Sequence, residues 1–343
     1  MLRRRKGLDR RARIATLLAS AFLLATFAWP DEAPAPPRPA DIVMSAEPVP
    51  LDRADPARRQ LGQLVFLEGW RLRSDDVRLG GISAMHVEDG QVLALSDAGS
   101  LFRFAVPRRA GALPLNISRV ARGPGTGRRK SDRDGESMAV AGRDVWVAWE
   151  GRNQIWRYRR GDWAAVSAAA PEAMKRWPSM RGPEAMARLA DGRFLVFGEG
   201  RVAADGTTPL LLFEGDAAAR GTRVVPLRYR PPSGYSATDA ALLPDGRLLV
   251  LNRRFRLLSG FSAILSVAQL PSRLRMGSVL EPREIAAFSG SISSDNLEAL
   301  SVTRERGRTI VWIASDDNYT PFLQWTLLLK FALAENDESR RAR

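Results

Sequence analysis

The sequence contains no cysteine and only one histidine, His86. Without cysteine, disulfides, thiolate nucleophiles and cysteine-ligated zinc are excluded. With one histidine, a metal site built from two or three imidazoles is impossible, and any Ser-His-acid triad has to use His86. The stretch Gly81-Ile-Ser83-Ala-Met85 fails the G-x-S-x-G pattern at its last position. Ser83 and His86 are three residues apart and fall on opposite faces of a strand, so a serine hydrolase is not indicated.

Acidic residues are outnumbered by basic ones, 38 against 52, which gives the chain a formal net charge of +14. Seven basic residues and one acidic residue lie within residues 1–13, and the rest of the chain is also basic. A basic surface suits nucleic acid, an anionic membrane or an anionic substrate. The general surface charge of an arginine-rich proteome is the alternative explanation.

Long apolar runs are also scarce. The uncharged run over residues 14–29 has 16 residues, which is slightly short for a membrane span, and follows the basic start of the chain. This order is typical of a signal peptide. We predict that residues 1–29 are a signal peptide or a retained anchor in the inner membrane, and that residues 30–60 are a linker rich in proline and alanine. The predicted location is periplasmic or exported, and nucleic acid is not an expected partner.

One strand-rich pattern occurs five times along the chain. Each copy has a small or acidic residue, a short apolar strand, a turn that often reads Asp-Gly, and a second, strongly apolar strand. The copies begin with GGISAM (Gly80), DGESMAV (Asp134), GPEAMA (Gly182), ATDAALL (Ala237) and DNLEALSV (Asp295). Gly after Asp is the preferred chemistry of a tight hairpin. We therefore expect each copy to be an antiparallel unit of three or four strands.

A period near 50 residues with three or four strands per unit is the size of a propeller blade. The sequence thus predicts an all-β protein, a β-propeller of five to six blades over residues 61–335, followed by a polar tail over residues 336–343. The strand at Leu64–Leu72 precedes the first copy. We expect it to pair with the last copy and close the ring. The alanine-rich stretch Trp163–Met174 is expected to hold a short helix or a loop.

Two polar positions recur in the repeats. The position before the first strand is occupied by Ser83, Glu136, Glu184, Asp239 and Glu298. The position at the end of the second strand is occupied by Asp97, Glu150, Glu199, Asn252 and Asp316. Equivalent positions of successive blades lie around one axis, so these side chains are predicted to converge. Capping of loop backbone at strand ends is the alternative reason for such recurrence.

Converging carboxylates raise one another's pKa, and a bound cation relieves the repulsion. Oxygen-only ligation favours Ca²⁺, or Mg²⁺ and Mn²⁺ less strongly, and no organic cofactor is expected. The predicted metal ligands are Glu136, Glu184, Asp239 and Glu298; the predicted catalytic residues are Glu136, Glu298 and Arg253; the predicted substrate contacts are Asp97, Glu150, Asn153, Asn252, Asp316 and Asn318. The segment Asp132-Arg-Asp134-Gly135 resembles a calcium loop slightly but lacks the remaining ligands, so we interpret it as a turn.

The set and order of these motifs resembles the "esterase-like activity of phytase" family of exported bacterial proteins, over roughly residues 62–333. The resemblance implies a propeller and an ester or phosphoester hydrolase. Glu136, Glu184 and Glu298 match the family's recurrent Glu-Gly-Ala type signature, although Ser or Ala follows each of them here, and Asp239 replaces Glu in the fourth copy. The last copy has Gln324-Trp-Thr326 where the family tends to have arginine.

Two functions follow from this sequence. The first is a metal-dependent esterase or phosphoesterase that acts on an anionic ester, in which Arg253 or Arg152 holds an anionic group. The second is a non-catalytic propeller that binds a ligand or protein in the periplasm, which the lack of a compact nucleophile-base pair favours.

Overall fold

The computed structural model describes residues 42–334, apart from residues 121, 128, 179, 200 and 201 and the side chain of residue 130. The predicted signal or anchor segment and the polar tail lie outside the described residues. Within the described part of the chain, no helix is both long and apolar enough to cross a membrane.

Short antiparallel strands account for most of the described residues. The first eight are β1 (Val43–Pro48), β2 (Gln60–Leu61), β3 (Leu64–Arg73), β4 (Ile82–Glu88), β5 (Gln91–Ser96), β6 (Ser100–Ala105), β7 (Gly111–Pro114) and β8 (Asn116–Arg119). The next eight are β9 (Gly135–Ala141), β10 (Asp144–Trp149), β11 (Gln154–Arg159), β12 (Ala165–Ala169), β13 (Pro183–Arg188), β14 (Phe194–Gly198), β15 (Thr208–Phe213) and β16 (Val224–Tyr229). The last eight are β17 (Ser236–Leu242), β18 (Leu248–Arg256), β19 (Gly260–Ala268), β20 (Val279–Leu280), β21 (Arg283–Phe288), β22 (Asn296–Glu305), β23 (Arg308–Asp316) and β24 (Thr326–Leu333). Two single-turn 3₁₀ helices, Lys130–Asp132 and Glu150–Arg152, complete the elements.

The strands form five sheets, in the orders β4-β5-β6-β8, β9-β10-β11-β12, β13-β14-β15-β16-β20, β17-β18-β19-β21 and β22-β23-β24-β3-β1-β7. The first strands of successive sheets contact one another in a closed circuit, β4 with β9, β9 with β13, β13 with β17, β17 with β22, and β22 with β4. This arrangement is a β-propeller, as predicted, and its five sheets correspond to the five sequence repeats. The alanine-rich stretch after Trp163 contributes β12 (Ala165–Ala169), so the prediction of a short helix or a loop was wrong over these residues.

The ring is closed by the start of the chain. Strand β3 pairs with β24 from Leu64 opposite Leu333 to Leu72 opposite Thr326, which confirms the predicted closure. The predicted linker was wrong beyond residue 41, because β1 pairs with both β3 and β7 and so belongs to the last sheet. The residues of β1 alternate between the core and the surface, with Met44 and Ala46 almost fully buried.

The apolar second strands of the repeats lie in the cores between the sheets. Trp312, Leu328 and Phe102 are at most 2% exposed and pack in one cluster with the closing strand, to which Trp70 contributes. Each such side chain removes its apolar surface from water, which stabilises the fold by about 1.5–3 kcal/mol. Burial of one sheet against the next therefore fixes the order of the sheets around the axis.

Loops at the two ends of the propeller differ in kind. The turns between first and second strands are tight, and Asp89-Gly90 and Arg306-Gly307 both have positive φ at two successive residues, as two-residue hairpins require. At the opposite end, first strands begin and second strands end. We call this end the mouth face. Its longer loops follow β14 and β23 and precede the first strands.

Gly62 is the tightest point of the ring closure. Its φ is +56°, and a Cβ there would lie less than 3.0 Å from the backbone carbonyl of Ile285 in the fourth sheet. Gly90 has a similar φ of +72° but nothing within 4 Å. Gly90→Ala is expected to reduce the free energy of unfolding by about 1 kcal/mol through backbone strain alone. Gly62→Ala is expected to cost at least twice as much, because the backbone of the fourth sheet has to move. Urea denaturation of both variants measures the difference; equal losses would contradict this close packing.

Candidate functional site

Each first strand carries a β-bulge at the same point, close to the mouth face. The pairing with the second strand skips one residue in every sheet. The skipped residues are Ser83, Glu136, Glu184, Thr238 and Glu298. A bulge leaves its extra residue outside the ladder and redirects the side chain. The repeated bulge therefore directs one side chain from each sheet, three of them glutamates, toward the central channel.

In the fourth sheet the bulged residue is Thr238, so the predicted register was wrong by one residue at Asp239. Asp239 is 2% exposed, and its carboxylate accepts hydrogen bonds from the backbone N–H of Leu300 in the next sheet, at 2.7 Å, and of Ala240, at 2.8 Å. Burial raises the pKa of Asp239 well above its usual value, although both hydrogen bonds oppose the shift. This side chain joins two sheets and does not face the glutamates.

The two bulged residues that are not glutamates, Thr238 and Ser83, behave alike. The hydroxyl oxygen of Thr238 lies 3.4 Å from the carbonyl of Leu251 in its own sheet and 3.5 Å from that of Leu297 in the next. The hydroxyl of Ser83 donates to the corresponding carbonyls, Leu95 and Gly135. The hydroxyl residues thus link neighbouring sheets.

The pairing also corrects the second predicted set. The residues two places before the bulge lie opposite Asp97, Glu150, Glu199, Arg253 and Asp316, so Arg253 takes the position assigned to Asn252. Asn252 is fully buried in the fourth sheet, where its amide oxygen accepts a hydrogen bond from the Tyr229 hydroxyl at 2.7 Å. Its amide nitrogen lies 3.2 Å from the Ile264 carbonyl. The predicted substrate contact through Asn252 was therefore wrong.

Five carboxylates meet on one side of the channel. Oxygens of Asp134, Glu136 and Glu150 lie within 4.8 Å of one another, and so do oxygens of Glu150, Glu184 and Glu199. Glu150 is common to both triads, and its Oε1 accepts a hydrogen bond from the Gly182 backbone at 3.1 Å. We call these five residues the acid cluster.

The electrostatics of the acid cluster are dominated by burial and repulsion. Burial raises the pKa of Glu136 well above its usual value, and the charges of Asp134 and Glu150 raise it further. Burial likewise raises the pKa of Glu184, with added contributions from Glu136 and from a hydrogen bond with Glu150. The main charges that act on these two glutamates are all negative. Burial also raises the pKa of Glu199, although Arg253 opposes that shift.

The opposite side of the channel is neutralised by an arginine. Nη1 of Arg253 lies 2.7 Å from Oε1 of Glu298 and 2.7 Å from Oδ1 of Asn296. Burial lowers the pKa of Arg253, but the charges of Glu298 and the neighbouring carboxylates outweigh it and raise the pKa overall. Asn296 donates to Glu298 at 2.7 Å and to Asp316 at 3.2 Å. Two of the predicted catalytic residues, Glu298 and Arg253, are therefore one ion pair.

The remaining predicted contacts are loop residues of the mouth face. Asn153 and Asn318 both have a left-handed backbone, with φ of +49° and +48°. The side-chain amide of Asn153 donates to the Trp177 carbonyl and so ties its loop to the segment before the third sheet, whereas that of Asn318 donates to Gln324 within the same loop. Asp97 acts on the acid cluster through its charge, which contributes to the raised pKa of Glu136.

Sequence reasoning missed Asp134 and Asn296 as residues of the site. Both lie two places before a bulged glutamate, so counting back from Glu136 and Glu298 would have found them. Of the segment interpreted as a turn, Asp134 belongs to the acid cluster, whereas Asp132 lies apart: it pairs with Arg152 and accepts from the backbone N–H of Thr126. That pair also removes Arg152 from the residues predicted to hold an anion.

A family model described as "Phytase-like: Esterase-like activity of phytase" matches residues 77–319. Comparison with curated proteins gives no match. Among solved structures, the chain is similar to glutaminyl cyclase from Myxococcus xanthus, with 9% identity, coverage of 81% of this chain and 100% of that one, and a TM-score of 0.46. It is also similar to the WD40 β-propeller domain of Doa1, with 9% identity, coverage of 74% and 93%, and a TM-score of 0.39.

The raised pKa values predict the pH dependence of the metal-free protein. A carboxyl with a raised pKa in the folded state contributes stability below its unfolded pKa and loses it as the pH rises through the folded value. With EDTA present, the unfolding temperature should therefore fall as the pH rises above 4.5, the usual value for glutamate. Glu136→Gln and Glu184→Gln should raise it at pH 7 and flatten the profile. Glu172→Gln, a fully exposed control, should do neither. A profile that is flat in the unsubstituted protein would rule out the repulsion.

The structural position of Asp239 predicts a loss of stability on truncation. Asp239→Ala leaves the buried N–H of Leu300 without its acceptor and should cost about 1–3 kcal/mol in urea denaturation. The control is Asp245→Ala in the same sheet, where a half-exposed carboxylate pairs with Arg247. A surface pair of this kind contributes about 0–1 kcal/mol. If the two substitutions cost the same, Asp239 does not join the sheets as described.

Proposed function

Because the chain belongs to the phytase-like family, we propose that it is a metal-dependent hydrolase that cleaves an anionic ester or phosphoester at the mouth of its channel. The observation that carries this proposal is the acid cluster, in which two carboxylate triads share Glu150. An anionic ester cannot approach five carboxylates unless a cation offsets them. Burial and repulsion in the cluster thus support the presence of a metal ion when the protein acts.

The donor set fits Ca²⁺. All the candidate ligand atoms are carboxylate oxygens, which Ca²⁺, Mg²⁺ and Mn²⁺ prefer. Oxygens within 4.8 Å of one another can all be ligands of one ion at about 2.3–2.6 Å. The raised pKa of Glu136 and Glu184 shows that their charged forms are disfavoured without a cation. We propose that the ion is held by one of the two triads, either Asp134, Glu136 and Glu150 or Glu150, Glu184 and Glu199, while Asp239 takes no part.

A bound ion of this kind polarises an ester oxygen and lowers the pKa of a water molecule. The chain's own residues supply the rest of the proposed mechanism. Glu136, placed at the bulge beside the proposed ion, can take a proton from water and return it to the leaving group. Arg253, oriented by Glu298 and Asn296, attracts the anionic part of the substrate to the mouth. Glu298 is thereby a positioning residue for Arg253.

A non-catalytic binding propeller is the competing function. Ser83 bonds to backbone carbonyls, and His86 lies 4.0 Å from Glu88, so these two do not form a nucleophile-base pair. In that case the acid cluster and its ion would hold a ligand without cleaving it. We also propose that residues 1–29 direct export to the periplasm and keep the chain at the inner membrane if they are not cleaved. The mass of the mature protein from a periplasmic fraction tests this.

Metal addition tests the proposal directly. Ca²⁺ added after EDTA should raise the unfolding temperature at pH 7, because a ligand that binds only the folded state stabilises it by mass action. Glu150→Gln should abolish the increase, since Glu150 belongs to both triads, whereas Glu172→Gln should leave it unchanged. A Ca²⁺-dependent increase that persists in Glu150→Gln would show that the ion binds outside the acid cluster. Mg²⁺ and Mn²⁺ serve as the comparison ions.

Hydrolysis separates the two functions. With Ca²⁺ bound, 4-nitrophenyl phosphate or 4-nitrophenyl butanoate should be cleaved, and Glu136→Gln should reduce kcat by about 10²-fold or more, as the loss of a general base does. Metal binding without cleavage of any ester would establish the binding function instead. Full activity in Glu136→Gln would show that this residue has no catalytic role.

A further inference from the structure

A groove lies on the mouth face between the turn of β18 and β19 and the loop between β23 and β24. Its volume is about 640 Å³, which is within the usual range for a small-molecule site. We call it the apolar groove, and its main apolar residues are Phe255, Leu257, Leu258, Phe261, Leu323 and Trp325. It is separate from the acid cluster, which comes from the second and third sheets.

Large apolar side chains in this groove are left in contact with water. Leu258 is 93% exposed, Leu257 58% and Leu323 55%. Three such residues on two adjacent loops form a contiguous apolar surface, and surfaces of this kind mark binding sites more often than chance exposure does. The fold does not need these side chains for its core, which lies between the sheets.

A buried polar group points to a ligand in the same groove. Ser293 lines the groove and is only 3% exposed, yet its hydroxyl has no hydrogen-bond partner among the described residues. The carboxylate of the neighbouring Asp295 already has partners in the protein, because it accepts hydrogen bonds from the backbone of Trp325 and the side chain of Gln324. Buried hydroxyls are normally paired. A ligand with an apolar body and a polar atom would fill the groove and satisfy Ser293.

The groove adjoins the channel through Arg253. The guanidinium of Arg253 lies 5.9 Å from the ring centre of Phe261, a groove residue, while its Nη1 is 2.7 Å from Glu298 in the channel. A second cation, Arg53, lies 5.8 Å from the ring centre of Trp325. A molecule seated in the groove therefore has its polar end beside the arginine that faces the acid cluster.

We propose that the apolar groove binds the acyl or aryl part of the ester whose anionic or ester group enters the channel. The substrate class is thus an amphipathic ester with an extended alkyl or aromatic portion. The assignment of the groove as a substrate subsite rests on the proposed hydrolase function. Leu258 and Leu323 supply apolar contact, and the Ser293 hydroxyl bonds to a polar atom of the ligand.

Binding is tested without any reaction by titrating the full chain with 1-anilinonaphthalene-8-sulfonate, which carries an aromatic body and an anionic group. Leu258→Ser and Leu323→Ser should each weaken binding by about tenfold, as expected for loss of a buried leucine contact. Ser293→Ala should weaken it without lowering the unfolding temperature. Met276→Ser is the matched control, since Met276 is 77% exposed and lies outside the groove. Binding that Met276→Ser weakens equally, or that none of the groove variants weakens, would overturn the proposal.

A chain-length series links the groove to catalysis. The KM for 4-nitrophenyl octanoate should be lower than for 4-nitrophenyl acetate, and Leu258→Ser should raise only the former. Hydrolysis with no chain-length preference and no effect of Leu258→Ser would show that the groove is not a substrate subsite, while the hydrolase function would stand. Selective binding of the probe without any hydrolysis would contradict the hydrolase function and show that the groove is a ligand site only. If Leu258→Ser instead dissociates a dimer in gel filtration, the groove is an interface between copies and the proposal fails.

Discussion

The structure is organised around the mutual repulsion of carboxylates that the fold brings together. The first strands of five sheets surround one axis, and the bulge in each of these strands directs one side chain toward it. Where that side chain is glutamate, as at Glu136 and Glu184, burial and like charge act together and raise its pKa. A propeller built only for stability would gain from apolar residues at these positions. Protonation or a cation relieves this repulsion, and the two sides of the channel differ in whether the chain supplies the cation.

On one side the fourth and fifth sheets supply their own cation. Arg253 neutralises Glu298, and Asn296 holds both Glu298 and Asp316 in place. On the other side the second and third sheets bring together carboxylates, and the main charges acting on two of them, Glu136 and Glu184, are negative. This asymmetry arises because the fourth copy of the repeat has Thr238 and Arg253 where the second and third copies have glutamates. One divergent repeat thus gives one side of the channel an arginine, whereas the acid cluster on the other side has no arginine of its own at the equivalent positions.

Much of this was predictable from the sequence, because a repeat of about 50 residues with Asp-Gly turns specifies a propeller blade. The closing strand and the convergence of Glu136, Glu184 and Glu298 followed from the same pattern. Asp239 and Asn252 were placed wrongly, each by one residue, because a bulge interrupts the two-residue alternation and its position leaves no mark in the sequence. When the repeats are aligned on their acidic residues, Asp239 and not Thr238 falls at the position of the glutamates. Strand β1 was also missed, since proline and alanine around it resemble a linker and only its pairing with β3 and β7 reveals its place.

The closing strand has a consequence for how the protein reaches its native state. Strand β3 is synthesised before the five repeats, but its partner β24 follows all the other strands of the ring. The last sheet therefore cannot be completed until the fifth repeat has been synthesised, and until then one edge of β3 is unpaired. Pairings between distant segments form slowly and leave strand edges open to aggregation. Closure of the ring thus depends on synthesis of the fifth repeat, so a chain truncated before β24 would lack the ring that unites the two sides of the channel.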